Sequence, residues 1–405
     1  MGFPDTSHLV GITPATGLID TEPRIDMERL RGYRLERVQE LLRKHDYGAV
    51  ALFDPINTRY ATGTRNMAVY SLHNPCRLAF VPAEGKAIMF EYPRCMELSR
   101  NIETIGEVRP ATMWNFYSAG DRIEEWVELW ADELSDVMLE RCINNRRLAF
   151  DQLNFNGARA LEARGVELFE GQGLLETARA IKSVDELACM SLAVGVAEIG
   201  MARMYEALKP GITENELWSI LHQTNIAMGG EWIETRLLSS GGRTNPWWQE
   251  SSDKVIRPGE LVGLDTDMIG PFGYCADVSR TFFCGPGKPT EEQKRLYNLA
   301  YDHVQTNIEL LKPGMSFREF SEKGWRVPSE FFKNRYSTPC HGVGMCDEWP
   351  RISFPEKFDD DGYNGIFEPN MTVSIESYIG AEGGAEGVKL EEQVLITETG
   401  AVPFS

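Results

Sequence analysis

The sequence is poor in positive charge: 41 Lys and Arg stand against 61 Asp and Glu, a formal net charge of -20 over 405 residues. A surface of that sign repels polyanions, which excludes nucleic acid and anionic membranes as partners. Long hydrophobic runs are missing too. No apolar stretch reaches the roughly 18 residues that a membrane helix needs, and the opening MGFPDTSHLVGITPATGLID lacks the basic-then-apolar pattern of a secretory signal. The expectation is a soluble, cytoplasmic protein. The cysteines, Cys76, Cys95, Cys142, Cys189, Cys275, Cys284, Cys340 and Cys346, form no CxxC pair. That excludes a zinc ribbon or redox dithiol and leaves reduced, small core residues.

What the chain has is length for two domains, since one core rarely grows past about 250–300 residues. Residues 1–25 read as an arm laid on the surface or on a partner subunit. Helical periodicity runs over 27–42, followed by the short apolar strand YGAVALF. The segment DPINTRYATGT, 54–64, has the composition of a turn followed by a loop, while RLAFVP, KAIMFEY and RRLAFD read as strands, and 121–139 and 155–164 as helices. Strands alternating with helices make residues 1–180 an α/β domain.

The character changes at Ala180-Ile181-Lys182. Capping-box signatures follow at Ser183–Glu186, Thr213–Glu216, Thr290–Gln293 and Ser316–Glu319. Two of them close nearly the same phrase, LKPGIT from Leu208 and LKPGMS from Leu311, each after a long amphipathic pattern. This repetition predicts that residues 181–405 are a duplicated unit, two αβ halves related by a pseudo-two-fold axis.

Within that unit lies LVGLDTDMIGPFGYCADVSRTFF, residues 261–283, which reads as a hairpin around the turn signal Gly270-Pro271-Phe272-Gly273. Strand alternation puts Asp265 and Asp267 on one face and Asp277 with Ser279 and Thr281 on one face. Three converging carboxylates repel unless a cation lies between them. Further on, His341 sits in the small-residue stretch CHGVG, Glu376 in TVSIESY and Glu391 in GVKLEEQVLI. Acids inside apolar strands are costly unless paired or metal-bound, so Glu376 and Glu391 are ligand candidates, with Glu392 on the opposite face as the solvated or structural one.

The order Asp, Asp, His, Glu, Glu in GYCADVSRTF, HGVGM, SIESYIG and GVKLEEQVLIT resembles the pita-bread metallopeptidases, and DPINTRYATGT resembles the smaller N-terminal α/β domain of their creatinase and prolidase branch. The resemblance implies two divalent metal ions bound by Asp265 or Asp267 or both, Asp277, His341, Glu376 and Glu391. It also implies a homodimer. Oxygen-rich sites suit iron, zinc or manganese, and iron is the family-based expectation.

The chain departs from the hydrolases at the two further histidines that handle protons. Trp248, within SSGGRTNPWWQESSD, stands at the first position, and Asp347, in MCDEW, at the second. The combination resembles the DddP-type dimethylsulfoniopropionate lyases, a non-hydrolytic branch, whose reaction releases dimethyl sulfide and acrylate. Under this resemblance Asp347 is the base, the metals hold the substrate carboxylate, Trp248 and Trp349 offer aromatic faces to the sulfonium together with Trp247, and Tyr336 orients the substrate. A metallohydrolase of the X-prolyl aminopeptidase or dipeptidase type is the alternative. A catalytically silent binding module is disfavoured, having little reason to keep carboxylates buried.

Overall fold

A computed structural model describes residues 25–405, so the arm expected over 1–25 lies, apart from Ile25, outside the described residues. The chain forms two compact units, Asp26–Arg179 and Ala180–Ser405. The first is built on a six-stranded sheet of β1 (Ala49–Leu52), β2 (Leu78–Pro82), β3 (Ala87–Glu91), β4 (Ile105–Pro110), β5 (Arg147–Phe150) and β6 (Glu167–Glu170) in the order β4-β3-β2-β1-β5-β6. β1 and β2 are buried at every position, as central strands covered on both faces are. Phe53, Phe80 and Phe90 share a core with Trp114 and with Trp130 and Leu134 of the helix Ile123–Cys142.

The loop expected within 54–64 is instead a helix, Pro55–Thr62. Asp54 caps it by accepting from the Ile56 and Asn57 amides, Pro55 occupies the first turn, where no amide is needed, and Gly63 at φ 80° closes it. A proline and a polar run read as a loop when the capping pair on either side is overlooked.

The second unit opens with the helix Val184–Ala207. It is long and apolar enough to cross a membrane by length and composition, contrary to the expectation from the sequence, but 67 % of its most apolar window is buried inside the protein. Cys189, Ala193, Val196, Ala197 and Met204 lie in the interior, making it a core helix. Full capping boxes form at Ser183, Thr213 and Thr290. The fourth is only half made. Ser316 accepts from the Glu319 amide, but the Glu319 carboxylate turns to Lys323, 2.6 Å away.

Three sheets follow. β7 (Trp232–Ile233), β8 (Leu238–Ser240), β9 (Leu261–Asp265), β10 (Met268–Ile269), β11 (Cys275–Ala276) and β12 (Ser279–Phe283) form two three-stranded sheets, β11-β10-β7 and β12-β9-β8. β13 (Cys340–Val343), β14 (Asp347–Ile352), β15 (Thr372–Ile379), β16 (Val388–Ile396) and β17 (Ala401–Pro403) form the five-stranded sheet β14-β13-β15-β16-β17.

The two repeated phrases make matching bonds. Gly211 N donates to Ile256 O at 3.0 Å and Gly314 N to Phe367 O at 2.8 Å, while Ile256 N and Phe367 N return bonds of 2.9 Å each to Ile212 O and Met315 O. Each half thus ties its LKPG turn to a later segment in the same way, as duplication requires.

The hairpin over 261–283 is not one ladder. β9 pairs with β12 and β10 with β11, and the strand breaks at Thr266-Asp267, where Asp267 has φ 35°. The Thr266 hydroxyl replaces the missing rung, donating to Ala276 O at 2.7 Å and accepting from Val278 N at 3.0 Å. The break therefore changes which way the chain presents Asp267, so alternation alone does not govern its direction.

Candidate metal centre

Register sets the centre. β15 and β16 place Glu376 directly opposite Glu391, an arrangement of like charges that is unfavourable without a cation between them. β13, on the other edge of β15, brings His341 alongside, its Nε2 3.4 Å from Glu376 Oε1, 3.4 Å from Glu391 Oε1 and 3.3 Å from Asp277 Oδ2. Nδ1 of the same ring lies 2.9 Å from Gly342 O, a partner that favours the proton of the neutral ring on this nitrogen and leaves the lone pair of Nε2 facing the carboxylates, free to bind a cation. Asp265, at the end of β9, pairs in register with Ser279, whose hydroxyl donates to Asp265 Oδ1 at 2.6 Å. Asp267 is held by the Thr235 hydroxyl at 2.5 Å.

Among the described residues, two groups offer ligand atoms within 4.8 Å of one another: Asp277, His341 and Glu391, and Asp265, Asp267 and Asp277. Asp277 belongs to both. The orphaned oxygens test the fit to a cation: Asp277 Oδ1, Glu376 Oε1 and Glu391 Oε1 are buried with no hydrogen-bond partner. Buried carboxylate oxygens left bare cost free energy that a divalent ion offsets, and the donor set of carboxylates and one imidazole suits such an ion. The residues fit a metal.

Electrostatics in the metal-free protein agree. Burial raises Asp277 and Asp267 well above the carboxylate range, reinforced by Glu391 for the former and Asp265 for the latter. Burial likewise brings Asp265 to about 6 and Glu376 to about 8, despite the attraction of Lys389. Burial also acts to raise Glu391, but Lys389 and His341 outweigh it and hold this carboxyl low. His341 is raised well above its usual value because Asp347, Asp277 and Glu391 overcome a burial that by itself would lower it. Cations in the cluster would displace the protons that these groups otherwise retain.

One residue of the cluster escaped the reading of the sequence. Lys389 is fully buried, with Nζ 2.7 Å from Glu391 Oε2, 2.9 Å from Glu376 Oε2, 3.0 Å from Asp265 Oδ2 and 2.8 Å from Ser279 Oγ. The signal was present: in KLE, Lys389 and Glu391 are two apart on one strand and share a face. Glu392 faces away and pairs with Arg280 at 2.9 Å.

Beside the cluster, Tyr336 lies with its ring centroid 4.5 Å from Lys389 Nζ, and Trp248 stacks on Tyr336 at 4.8 Å with planes 23° apart. Trp248 is 55 % exposed and has φ 80°, so one face of its ring covers Tyr336 while much of it meets solvent. Trp247 is buried against Tyr378, 6.0 Å away. Trp349 is not drawn into this pair; its ring meets Phe317 edge-on at 5.3 Å. Asp347 begins β14 with its side chain 55 % exposed and Oδ1 3.9 Å from His341 Nδ1. Desolvation acts to raise its pKa, and Glu391 and Glu348 add to this against His341 and Lys389.

Comparisons with known proteins follow the same division. The model of metallopeptidase family M24 matches residues 188–398, and that of the creatinase/prolidase N-terminal domain matches 34–181. Dimethylsulfoniopropionate lyase DddP of Roseovarius nubinhibens is 40 % identical over 380 residues, 93 % of this chain and 85 % of that protein. Its counterpart in Roseobacter denitrificans is 36 % identical over the same shares. Among solved structures, an Xaa-Pro dipeptidase from Bacillus anthracis has a TM-score of 0.72 at 22 % identity, covering 92 % of this chain and 96 % of that one. At that identity the likeness speaks for the fold alone.

Proposed function

We propose, from the premise that this chain belongs to metallopeptidase family M24 and carries a creatinase/prolidase N-terminal domain, that it is a metal-dependent carbon-sulfur lyase. It cleaves dimethylsulfoniopropionate to dimethyl sulfide and acrylate by β-elimination. The relatives named as that lyase, matched over 93 % of the chain, support the substrate. The observation that carries the reading is a buried carboxylate and imidazole cluster with an open carboxylate, Asp347, at its edge and a stacked aromatic pair, Trp248 and Tyr336, beside it.

Asp265, Asp267, Asp277, Glu376 and Glu391, when ionised, bring five negative charges and Lys389 one positive charge, a net of four that two divalent cations balance. We assign those six residues and His341 accordingly, His341 and the five carboxylates as ligands, Lys389 as the resident counter-charge. Iron is favoured, with zinc and manganese as the alternatives an oxygen-rich site admits. When bound, the ions supply Lewis acidity that stabilises negative charge gathering on the substrate carboxylate.

The chain's own groups do the rest. Asp347 accepts the proton on the carbon next to the substrate carboxylate, the electron pair forms the carbon-carbon double bond, and the carbon-sulfur bond breaks toward sulfur. The sulfide leaves neutral, so no acid is needed and the histidines of the hydrolases can be dispensed with. Burial, with Glu376 adding to it, pushes the Tyr336 phenol up, so it stays neutral and can donate a hydrogen bond to the substrate carboxylate. The open face of Trp248 suits a sulfonium cation. Trp349, set against Phe317, has at most a supporting part.

A homodimer is the assembly we propose, to be checked by size-exclusion chromatography. Eight free cysteines accord with a cytoplasmic location. The deciding experiment measures dimethyl sulfide above purified, metal-loaded protein with substrate, beside an assay of X-prolyl dipeptides. Sulfide release without peptide turnover is expected; peptide turnover without sulfide would replace the lyase by a hydrolase.

A further inference from the structure

Asp347 stands at the tip of the β13–β14 hairpin, where its side chain is 55 % exposed and meets His341 only at 3.9 Å. β13 and β14 pair with a register shift: His341 faces Arg351, yet Gly342 faces Glu348, leaving Trp349 and Pro350 as a bulge. Gly342 is needed there because any Cβ would come within 2.3 Å of Trp349 O. Beyond Val343 the chain turns through 344–346 and returns at Asp347, opposite Val343.

The support of this tip lies on the other face of β14. Glu348, next to Asp347 and therefore pointing away from it, has a fully buried side chain. Its Oε1 accepts from Met345 N at 2.9 Å, which closes the turn, and its Oε2 accepts from Lys182 Nζ at 2.9 Å. Gly344 makes room for this carboxylate, since a Cβ there would sit 2.4 Å from it. Lys182 is itself anchored: its amide donates to Asn370 O at 2.9 Å, and Ile181 bridges to Met371. On the metal side, Cys275 N donates to Gly344 O at 2.7 Å, tying the tip to the strand that leads to Asp277.

We propose that the buried Lys182–Glu348 pair is the positioning device for Asp347, fixing where the proton-accepting carboxylate stands without touching substrate or metal. The inference rests on Asp347 being the base. Glu348 supplies the acceptor that the Met345 amide needs, and Lys182 makes that buried carboxylate affordable. Without the pair the 344–347 tip keeps its bond from Cys275 N and its ladder pairing but loses its buried side-chain anchor, and Asp347 shifts with it. A shift of about 1 Å in a reacting group can cost on the order of a hundredfold in rate.

The test uses the full-length, metal-loaded protein, with Glu348→Gln and, in case that variant fails to fold, the paired change Lys182→Met with Glu348→Met, which removes both charges together. Dimethyl sulfide release is followed with ordinary substrate and with substrate deuterated next to its carboxylate, and metal per chain is measured. The expected result is a kcat lowered by about tenfold or more with KM changed by less than about twofold, unchanged metal content and a larger isotope effect on kcat. A kcat near that of the wild type, or a fall that merely tracks metal loss, overturns the proposal. Asp347→Asn is run alongside. If it is inactive while the Glu348 variants are fast, the positioning role alone fails; if it is active, the base assignment beneath it fails.

Discussion

Lys389 and Glu391, two residues apart on β16, are joined across one face of the strand by a 2.7 Å bond between Nζ and Oε2. The ammonium is the only positive side chain in direct contact with Asp265, Glu376 and Glu391 at once, among the described residues. Lys389→Met should therefore lower the stability of the metal-free protein by about 3–5 kcal/mol, the usual cost of leaving buried charges unpaired. Thermal melts of chelated and metal-loaded protein check this, and the loss should shrink when metal is added.

Chelation should abolish dimethyl sulfide release and lower the melting temperature. At a free ion concentration of a hundred times Kd, one site adds about 2.7 kcal/mol to stability. His341→Ala removes the one imidazole from the cluster, and elemental analysis should then show less metal per chain.

Asp347→Asn keeps the shape of the side chain but removes its basicity. We expect kcat to fall by roughly a hundredfold to ten-thousandfold, the usual range for a lost general base, with metal content unchanged. Steady-state kinetics paired with elemental analysis will decide; full activity would move the base elsewhere.

Trp248→Ala opens the aromatic pair at its exposed side. A cation over an aromatic face is worth about 0.5–2 kcal/mol, so KM should rise by about twofold to thirtyfold. Kinetics on dimethylsulfoniopropionate measure this directly, and an unchanged KM would place the sulfonium away from Trp248.

His303 gives a pH signature apart from the metal ligands. It is buried, with Nδ1 2.9 Å from Ser377 Oγ and its ring stacked 5.0 Å from Trp325, and burial lowers its pKa to about 3. The unfolded chain takes up this proton near pH 6.5, the folded one does not, so stability is greatest above that pH and declines from about 6.5 toward 3. Denaturation at pH 7 and pH 5 should show a loss of roughly 2 kcal/mol from this group, and His303→Phe should lack that part of the loss.

The residue pattern by itself marked most of the side chains at the centre as ligand candidates. Strand alternation and apolar surroundings single out Glu376 and Glu391, because a carboxylate in an apolar strand carries its own demand for a partner, and alternation marks Asp265 and Asp277 as converging acids; His341 joins them through the motif order that resembles the pita-bread metallopeptidases. The repeated LKPG phrase likewise reveals the duplication, and its two copies make matching bonds to Ile256 and Phe367. Tertiary structure decided the rest. The break at Asp267 depends on the Thr266 hydroxyl replacing a rung, the place of Lys389 depends on which carboxylates β9 and β15 bring to its strand, and the Lys182–Glu348 pair joins positions 166 residues apart. Trp349 looked like part of the aromatic wall, but the bulge beside Gly342 helps set its place, next to Phe317. Periodicity reports which face a residue occupies; only the packed chain reports what stands opposite that face.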